Sequence, residues 1–545
     1  GSPARGSSSF PNRSVVFDDP MDISQMTEEQ QLEAAMKLSL QEAGPVQFPG
    51  ATVVHRPPET RAGEPSKPPD PGKTVLSGKD PQDLLVPPVR SSAKKQRGEP
   101  KEATTSQALG DGDLNALMRL LFGDADALDL ERWLGVGFQF CPRAGLEWGL
   151  WQKHGGPCGV FAPVQAFMLK HLLFAVDGGR QERPLALKAD DESQSALLAY
   201  ALASVLFHST SSSSYAVCQV TCKTDAALPL RDAAQLAASA VTTGDASRFF
   251  SVATTRISRV VDAQQLFEQG ADSWLSGQCG VLSFLTSLLV TRSMTSVRED
   301  MDDPTSPLIG RFGHCSQELV NLILTGEATS NVFDGTRWLG DDPSSGLLVK
   351  GIDGDRIGTP TVGFLSEHEA MKYLSVGTLL KHPAYPLWVV GSPTHYTILF
   401  SVRRSDAQLS EEAQLEQRTK KVFADHALDE GLAMSTNLGA MLQGVGIGAD
   451  NLPQAQRELV HEDIVLWEDF ISWVKRHFGV SGTRGEATKL QLYLYDGQDP
   501  PGPTLRTVSL ELNDIDPSLA GGDDDTFTKT INTRWPNAVV TVQQA

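Results

Sequence analysis

Cysteine is scarce: Cys141, Cys158, Cys218, Cys222, Cys279 and Cys315 are the only six in a chain of 545 residues. They follow no disulfide-framework spacing, which argues against a stapled secreted domain and for a reducing, intracellular setting. Cys218 and Cys222 are the only close pair, and no second pair stands ready to complete a tetrahedral site, so neither zinc nor another cofactor is expected. No apolar run approaches the roughly 18 residues of a membrane span. No signal peptide is visible, and the chain begins Gly-Ser-Pro without methionine, as an expression remnant or a fragment boundary would. Positive charge is in deficit: 47 Lys and Arg against 67 Asp and Glu leave a net charge of −20. That balance argues against a nucleic-acid binder or a binder of anionic membranes. The expectation is a cytoplasmic monomer of roughly two to four domains.

The first hundred residues carry little that could build a core. Residues 1–26 are rich in Ser, Pro and Asp and are expected to be disordered. Thr27 then offers an N-cap, and Glu28 and Glu29 suit the positive end of a helix. Leu32, Ala35, Met36, Ser39 and Leu40 fall on one narrow face of that helix, residues 27–43. With no core beside it, such a face suits a partner. Together with Glu42 these residues fill every slot of the pattern of a ubiquitin-interacting motif, which this helix resembles. Residues 44–110 are rich in Pro, Gly, Ser and charge, and read as a disordered tether with a span on the order of 45 Å. Within it, Lys94-Lys95-Gln96-Arg97 resembles a nuclear-import signal, which adds a nuclear pool to the cytoplasmic expectation.

The folded part, residues 111–545, turns on one stretch. Gln152 stands six residues before Cys158, which follows the Gly155-Gly156-Pro157 corner; Val160, Val164, Phe167 and Met168 then recur at helical spacing. A thiol on the first turn of a buried helix faces unpaired N–H groups that favour a thiolate. Gln152 sits where an oxyanion donor would be supplied. A buried structural cysteine after a turn is the plain alternative. A second Cys-Gly-Val, at Cys279, is the rival nucleophile, and its Gly-Gln-Cys start resembles transglutaminase-like sites. It has Ser273 in place of the upstream glutamine, and its helix is apolar nearly all round, as a core helix is.

A histidine base is offered by His395, at the start of the second of two β-rich runs flanking Gly391–Pro393; His154 is nearer but lies on the same tight corner as Cys158. Helices are expected at 115–122, 193–207, 367–374, 410–423 and 464–478, and strands at 215–222 and 490–495. Residues 404–485 interrupt the sheet as a helical insertion resembling a degraded EF-hand. Asp425 and Asp429 suit loop positions, but Thr436 replaces the final glutamate, so calcium is not expected. Asp496, at the end of the last of these strands, is a candidate to orient His395.

Three blocks occur in order: the Gln152–Cys158–Val160 corner, Gln317-Glu-Leu-Val-Asn-Leu through Gly326 and Ala328 to Ser330-Asn-Val-Phe333, and Ser392-Pro-Thr-His395-Tyr396. Together they resemble the MINDY family of deubiquitinases, in its larger branch with an EF-hand-like insertion. The resemblance implies an α+β, papain-like cysteine protease fold with a helical insertion. It also implies an isopeptidase acting on polyubiquitin, with preference for lysine-48 linkages. By that resemblance Cys158 is the nucleophile, His395 the general base and Gln152 the oxyanion donor, with ubiquitin chains as partner and no cofactor. A chain-binding protein with a silent or autoinhibited site, and a transglutaminase-like enzyme using Cys279, are the competing expectations.

Overall fold

The computed structural model describes residues 106–544 apart from 125, 154, 175–190, 225–227, 276, 340–346, 408–410, 430, 480–487 and 513–524. His154, the helix read at 27–43 and its face of Leu32, Ala35, Met36, Ser39 and Leu40 lie outside the described residues, as does the tether up to residue 105. The tether expected to run to residue 110 ends sooner, because β1 (Ser106–Ala108) pairs with a strand of the folded part, through Gln107 opposite Thr254. All three of its side chains are exposed. Only its backbone is engaged, so no hydrophobic pattern announces it.

The mixed helix-and-sheet architecture has two main sheets. In the first, β1, β2 (Tyr215–Cys222) and β3 (Phe250–Ile257) lie in the order β1-β3-β2, and both neighbouring pairs are antiparallel. Three helices follow in the core, α1 (Cys158–Phe174), α2 (Asp191–His208) and α3 (Gly280–Arg292): α3 packs on β2, α2 packs on both α3 and α1, and α1 reaches the second sheet. Their sequences are apolar nearly all round, and all three are buried in the main core. Then α4 (Gln317–Thr325) begins at the Ser316 cap and ends on Gly326, whose φ of 84° closes the helix in the left-handed region.

The second sheet has six strands: β4 (Gly363–Ser366), β5 (Leu387–Gly391), β6 (Tyr396–Phe400), β7 (Thr488–Asp496), β8 (Thr504–Leu512) and β9 (Ala538–Gln544), in the order β9-β8-β7-β6-β5-β4. Only β4 and β5 run parallel. Alternation sends Leu387, Val389, Ile398 and Phe400 to the main core beneath α1. Trp388, Val390, Leu399, Leu492 and Leu494 go to a second core that includes Ile531 and Trp535. The sheet is thus buried on both faces, which explains its nearly continuous apolar runs.

Between β6 and β7 the chain builds a separate small core around Phe423, Met441, Phe470 and Val474. Here the helix expected at 464–478 is corrected: Ile464–Leu466 is a strand pairing with Leu432–Met434, and the helix is Trp467–His477. Glu462 and Asp463 turn the chain with φ of 49° and 66°, and β-branched Ile464 and Val465 follow them into the ladder. The helix expected at 367–374 is likewise shorter, Glu367–Ala370, because Lys372 takes φ 65°.

The 317–333 block owes its cohesion to Asn321, which is fully buried. Its amide donates to the carbonyls of Thr329, at 2.8 Å, and Asn331, at 3.1 Å, while its oxygen accepts from Gln317, at 2.9 Å. Replacing Asn321 with leucine strands those partners inside the protein. Asn321→Leu is expected to lose about 2–4 kcal/mol of stability. Urea denaturation checks this, and a midpoint equal to that of the wild type would exclude a structural role for the network.

Candidate active site

The corner before Cys158 depends on Gly156, whose φ of 122° suits glycine alone and whose missing Cβ would stand 3.1 Å from the Gly313 carbonyl. Pro157 then starts the first turn: its carbonyl accepts from the N–H groups of Val160, at 2.8 Å, and Phe161, at 3.0 Å. Cys158 opens α1 with only 3 % of its surface exposed, and no acidic side chain sits in that turn. Its sulfur lies 3.9 Å from the Gly156 carbonyl oxygen.

His395 is fixed by a reverse turn just before β6. The Ser392 hydroxyl accepts from the His395 N–H at 3.1 Å, and the Ser392 N–H donates to the His395 carbonyl at 2.9 Å. Antiparallel pairing of Tyr495 with Ile398 brings the end of β7 alongside, and His395 Nε2 meets Asp496 Oδ1 at 2.8 Å. The Cys158 thiol is the other group whose interaction with the imidazole raises its pKa. With Nε2 engaged by Asp496, Nδ1 is the nitrogen left for the thiol. Burial disfavours a charged imidazole, but the hydrogen bond to Asp496 and the contact with Cys158 outweigh it and raise its pKa to about 10. Burial likewise pushes the Asp496 carboxyl up, and the bond from His395 together with its charge more than reverses this, holding it below its usual value.

Gln152 lies on a short extended segment bridging these two parts. Its N–H donates to the Gly497 carbonyl at 2.9 Å, and its carbonyl accepts from Asp499 N–H at 2.8 Å. Two residues earlier, Leu150 is gripped from both sides. Its N–H donates to Gln165 Oε1, on α1, at 2.6 Å, and its carbonyl accepts from the Tyr495 hydroxyl at 2.8 Å. Gln152, Gln165, His395, Tyr396 and Tyr495 line an open pocket of about 280 Å³. Such an arrangement of thiol, charged imidazole and amide donor suits acyl transfer through a covalent thioester.

Cys158, His395, Asp496 and Gln152 therefore converge from four separate stretches of chain. Cys279 does not join them: its sulfur faces Cys222, and its residue is 1 % exposed. Gln165 and Tyr495 were not read from sequence as site residues. Gln165 is the one polar side chain in the helical run from Val160 to Leu169, the one signal available for it. Cys315 is a further neighbour, its sulfur 3.6 Å from the same Gly156 carbonyl. Among the described residues, no three His, Cys, Asp or Glu side chains converge as a metal site.

Known proteins resemble the chain over much of its length. The family profile described as "Deubiquitinating enzyme MINDY-3/4, conserved domain" matches residues 118–427. The human "Ubiquitin carboxyl-terminal hydrolase MINDY-3" is 30 % identical over 448 residues, 77 % of this chain and 95 % of that protein. Its counterpart in Xenopus tropicalis is 29 % identical, over 76 % of this chain and 92 % of that one. The mouse "Probable ubiquitin carboxyl-terminal hydrolase MINDY-4" is 33 % identical over 325 residues, 59 % of this chain but only 40 % of that longer protein. No solved structure matches.

The electrostatics of the pair give a direct check. Removing the carboxylate leaves burial as the main influence on His395, so Asp496→Asn is expected to lower the imidazole pKa by at least about one unit. The imidazole signals followed by NMR should titrate near pH 10 in the wild type and closer to neutrality in the variant. An unchanged midpoint would mean that Asp496 does not hold the imidazole in its charged form.

Proposed function

The chain belongs to the MINDY-3/4 family of deubiquitinating enzymes, and from that premise we propose that it is a cysteine isopeptidase cleaving ubiquitin conjugates in a papain-like manner. The observation that carries the reading is the 2.8 Å His395–Asp496 bond, made beside a thiol that opens a helix. In this proposal Cys158 is the nucleophile, His395 carries the proton, Asp496 orients His395 and Gln152 donates to the oxyanion.

A pKa near 10 makes His395 an imidazolium at neutral pH. In the reacting pair the proton is on His395, and that imidazolium offsets the negative charge of the attacking sulfur. The sulfur attacks the carbonyl carbon of ubiquitin's C-terminal glycine, and a C–S bond forms as the carbonyl electrons shift to oxygen. Gln152 and the Cys158 N–H stabilise that oxyanion, each such donor being worth about 3–4 kcal/mol of barrier. Collapse expels the lysine amine, which takes the proton from His395. The imidazole, now neutral, accepts a proton from water as water attacks the thioester. Free ubiquitin and the ion pair result. His395 is thus an acid in the first half and a base in the second.

The proposed substrate is polyubiquitin, with lysine-48 linkages preferred, and the proposed setting is an intracellular monomer with cytoplasmic and nuclear pools. The helix at 27–43 would hold a second ubiquitin through Leu32, Ala35, Met36, Ser39 and Leu40. Its tether makes that contact intramolecular and so favours long chains. One observation favours an autoinhibited resting form as a second reading: Cys158 is only 3 % exposed. Prompt labelling of the resting protein by a small ubiquitin-based warhead would exclude it.

Incubation with a panel of purified ubiquitin chains tests the main reading. Cleavage by the wild type and none by Cys158→Ala are expected, with Gln152→Ala slowed roughly 10²–10³-fold in kcat. Activity surviving in Cys158→Ala but lost in Cys279→Ser would shift the chemistry to the rival thiol. For the tethered helix, Ala35→Arg with Ser39→Asp should slow cleavage of long chains and spare warhead labelling. If that variant and the wild type process long chains alike, the helix has no part in substrate binding.

A further inference from the structure

The second Cys-Gly-Val is left without a role by the site, and its surroundings suggest one. Cys279 and Cys222 are free thiols whose sulfurs lie 3.4 Å apart. The remaining cysteines have oxygen or nitrogen neighbours: Cys218 meets the Thr254 hydroxyl, Cys141 accepts from Arg143 N–H, and Cys158 and Cys315 face Gly156. Cys222 is half-buried at the end of β2, an edge strand, so small solutes have access from that side. Cys279 is buried at the start of α3 and takes φ 55°. A non-glycine residue adopts that left-handed conformation only where its surroundings fix it. Here the Cys279 N–H donates to the Leu134 carbonyl at 2.9 Å, and its carbonyl accepts from Ser283 N–H at 2.8 Å. The backbone is pinned with the thiol turned toward Cys222.

We propose that Cys222 and Cys279 are a redox modification site that a peroxide converts reversibly to an intramolecular disulfide. Bond formation needs the sulfurs to come only about 1.4 Å closer, within reach of a side-chain rotation at the half-exposed strand end. The hydrogen bond from Cys279 holds the Cys222 thiol below its usual pKa in spite of burial, which makes Cys222 the attacking sulfur. Its thiolate attacks a peroxide oxygen; the O–O bond breaks, and sulfenic acid and one water form once the departing oxygen takes up a proton. Cys279 sulfur then attacks the sulfenic sulfur, so that the S–S bond forms, the S–O bond breaks and a second water leaves with the thiol proton. Two thiols lose two electrons and two protons, and hydrogen peroxide becomes two waters. A small thiol reverses the bond by exchange. The disulfide staples the end of β2 to the start of α3 and closes the chain between them, raising the resistance of this layer to opening.

The test uses the full reduced chain treated with stoichiometric hydrogen peroxide and mapped as peptides without reduction. A linked Cys222–Cys279 peptide is expected, with two thiols lost on titration of the denatured protein and regained after a reductant. The thermal midpoint should rise by several degrees in the oxidised form. The same linked peptide is expected from Cys158→Ser, which separates this pair from oxidation at the proposed nucleophile. Cys222→Ser should give no linked peptide and leave Cys279 as a free thiol. Finding Cys222 and Cys279 still reduced after Cys158 has oxidised would overturn the proposal. So would Cys222 recovered as sulfinic acid, or linked to another cysteine.

Discussion

The register between β6 and β7 is the constraint on which the site rests. Tyr495 opposite Ile398 places Asp496 beside His395, across 101 residues of sequence. A slip of one residue would turn Tyr495 away from the main core and flip Asp496 off the face on which it meets His395. The same strand end then turns through Gly497 to Asp499 and holds the Gln152 segment by backbone bonds. One register therefore positions His395, Asp496 and the Gln152 segment together. The intervening helical segment folds around a core of its own, so its size places no load on the pairing.

The second dependence is electrostatic. Both members of the His395–Asp496 pair are disfavoured as ions by burial; Asp496 is kept charged mainly by His395, and His395 by Asp496 together with Cys158. Such a pair is sensitive: loss of either member leaves an uncompensated buried charge or a neutral group. Gln152, being uncharged, adds a donor to the same pocket without disturbing that balance. In the proposed reaction this separation lets the site hold a proton for the leaving amine and still stabilise negative charge on oxygen.

What sequence reveals and hides here follows from the range of each interaction. The Gly-Gly-Pro corner, the run of α1 and strand β2 are local patterns, and they were legible to within a residue or two. His395 and Asp496 were legible as residue types at strand ends, although only the fold brings them to 2.8 Å. The Leu150 clamp was not legible, because Gln165 and Tyr495 act on backbone groups, which no side-chain pattern announces. Ile464 was drawn into a helix because its spacing to Trp467 and Ile471 fits a helical turn; the left-handed pair before it decides otherwise. Sequence also paired Cys222 with Cys218, four residues away. On a strand that distance is about 13 Å, and the true neighbour is Cys279, delivered by a helix from 57 residues on.

The two Cys-Gly-Val tripeptides show why a motif acquires meaning only from what packs on it. At Gly159 a Cβ would stand 2.7 Å from the Cβ of Cys315, so the 315–333 block presses directly on the turn that carries Cys158. At Gly280 a Cβ would stand 2.6 Å from the Trp274 carbonyl, so that glycine accommodates the short helix Ala271–Leu275 just before it. Cys158 lies inside its helix with a histidine across from it; Cys279 lies just outside its helix, in a left-handed turn, with a thiol across from it. The proposed nucleophile and one member of the proposed redox pair thus share three letters of sequence. The glutamine six residues upstream distinguishes them because it marks the segment that β7 and α1 together hold at the site.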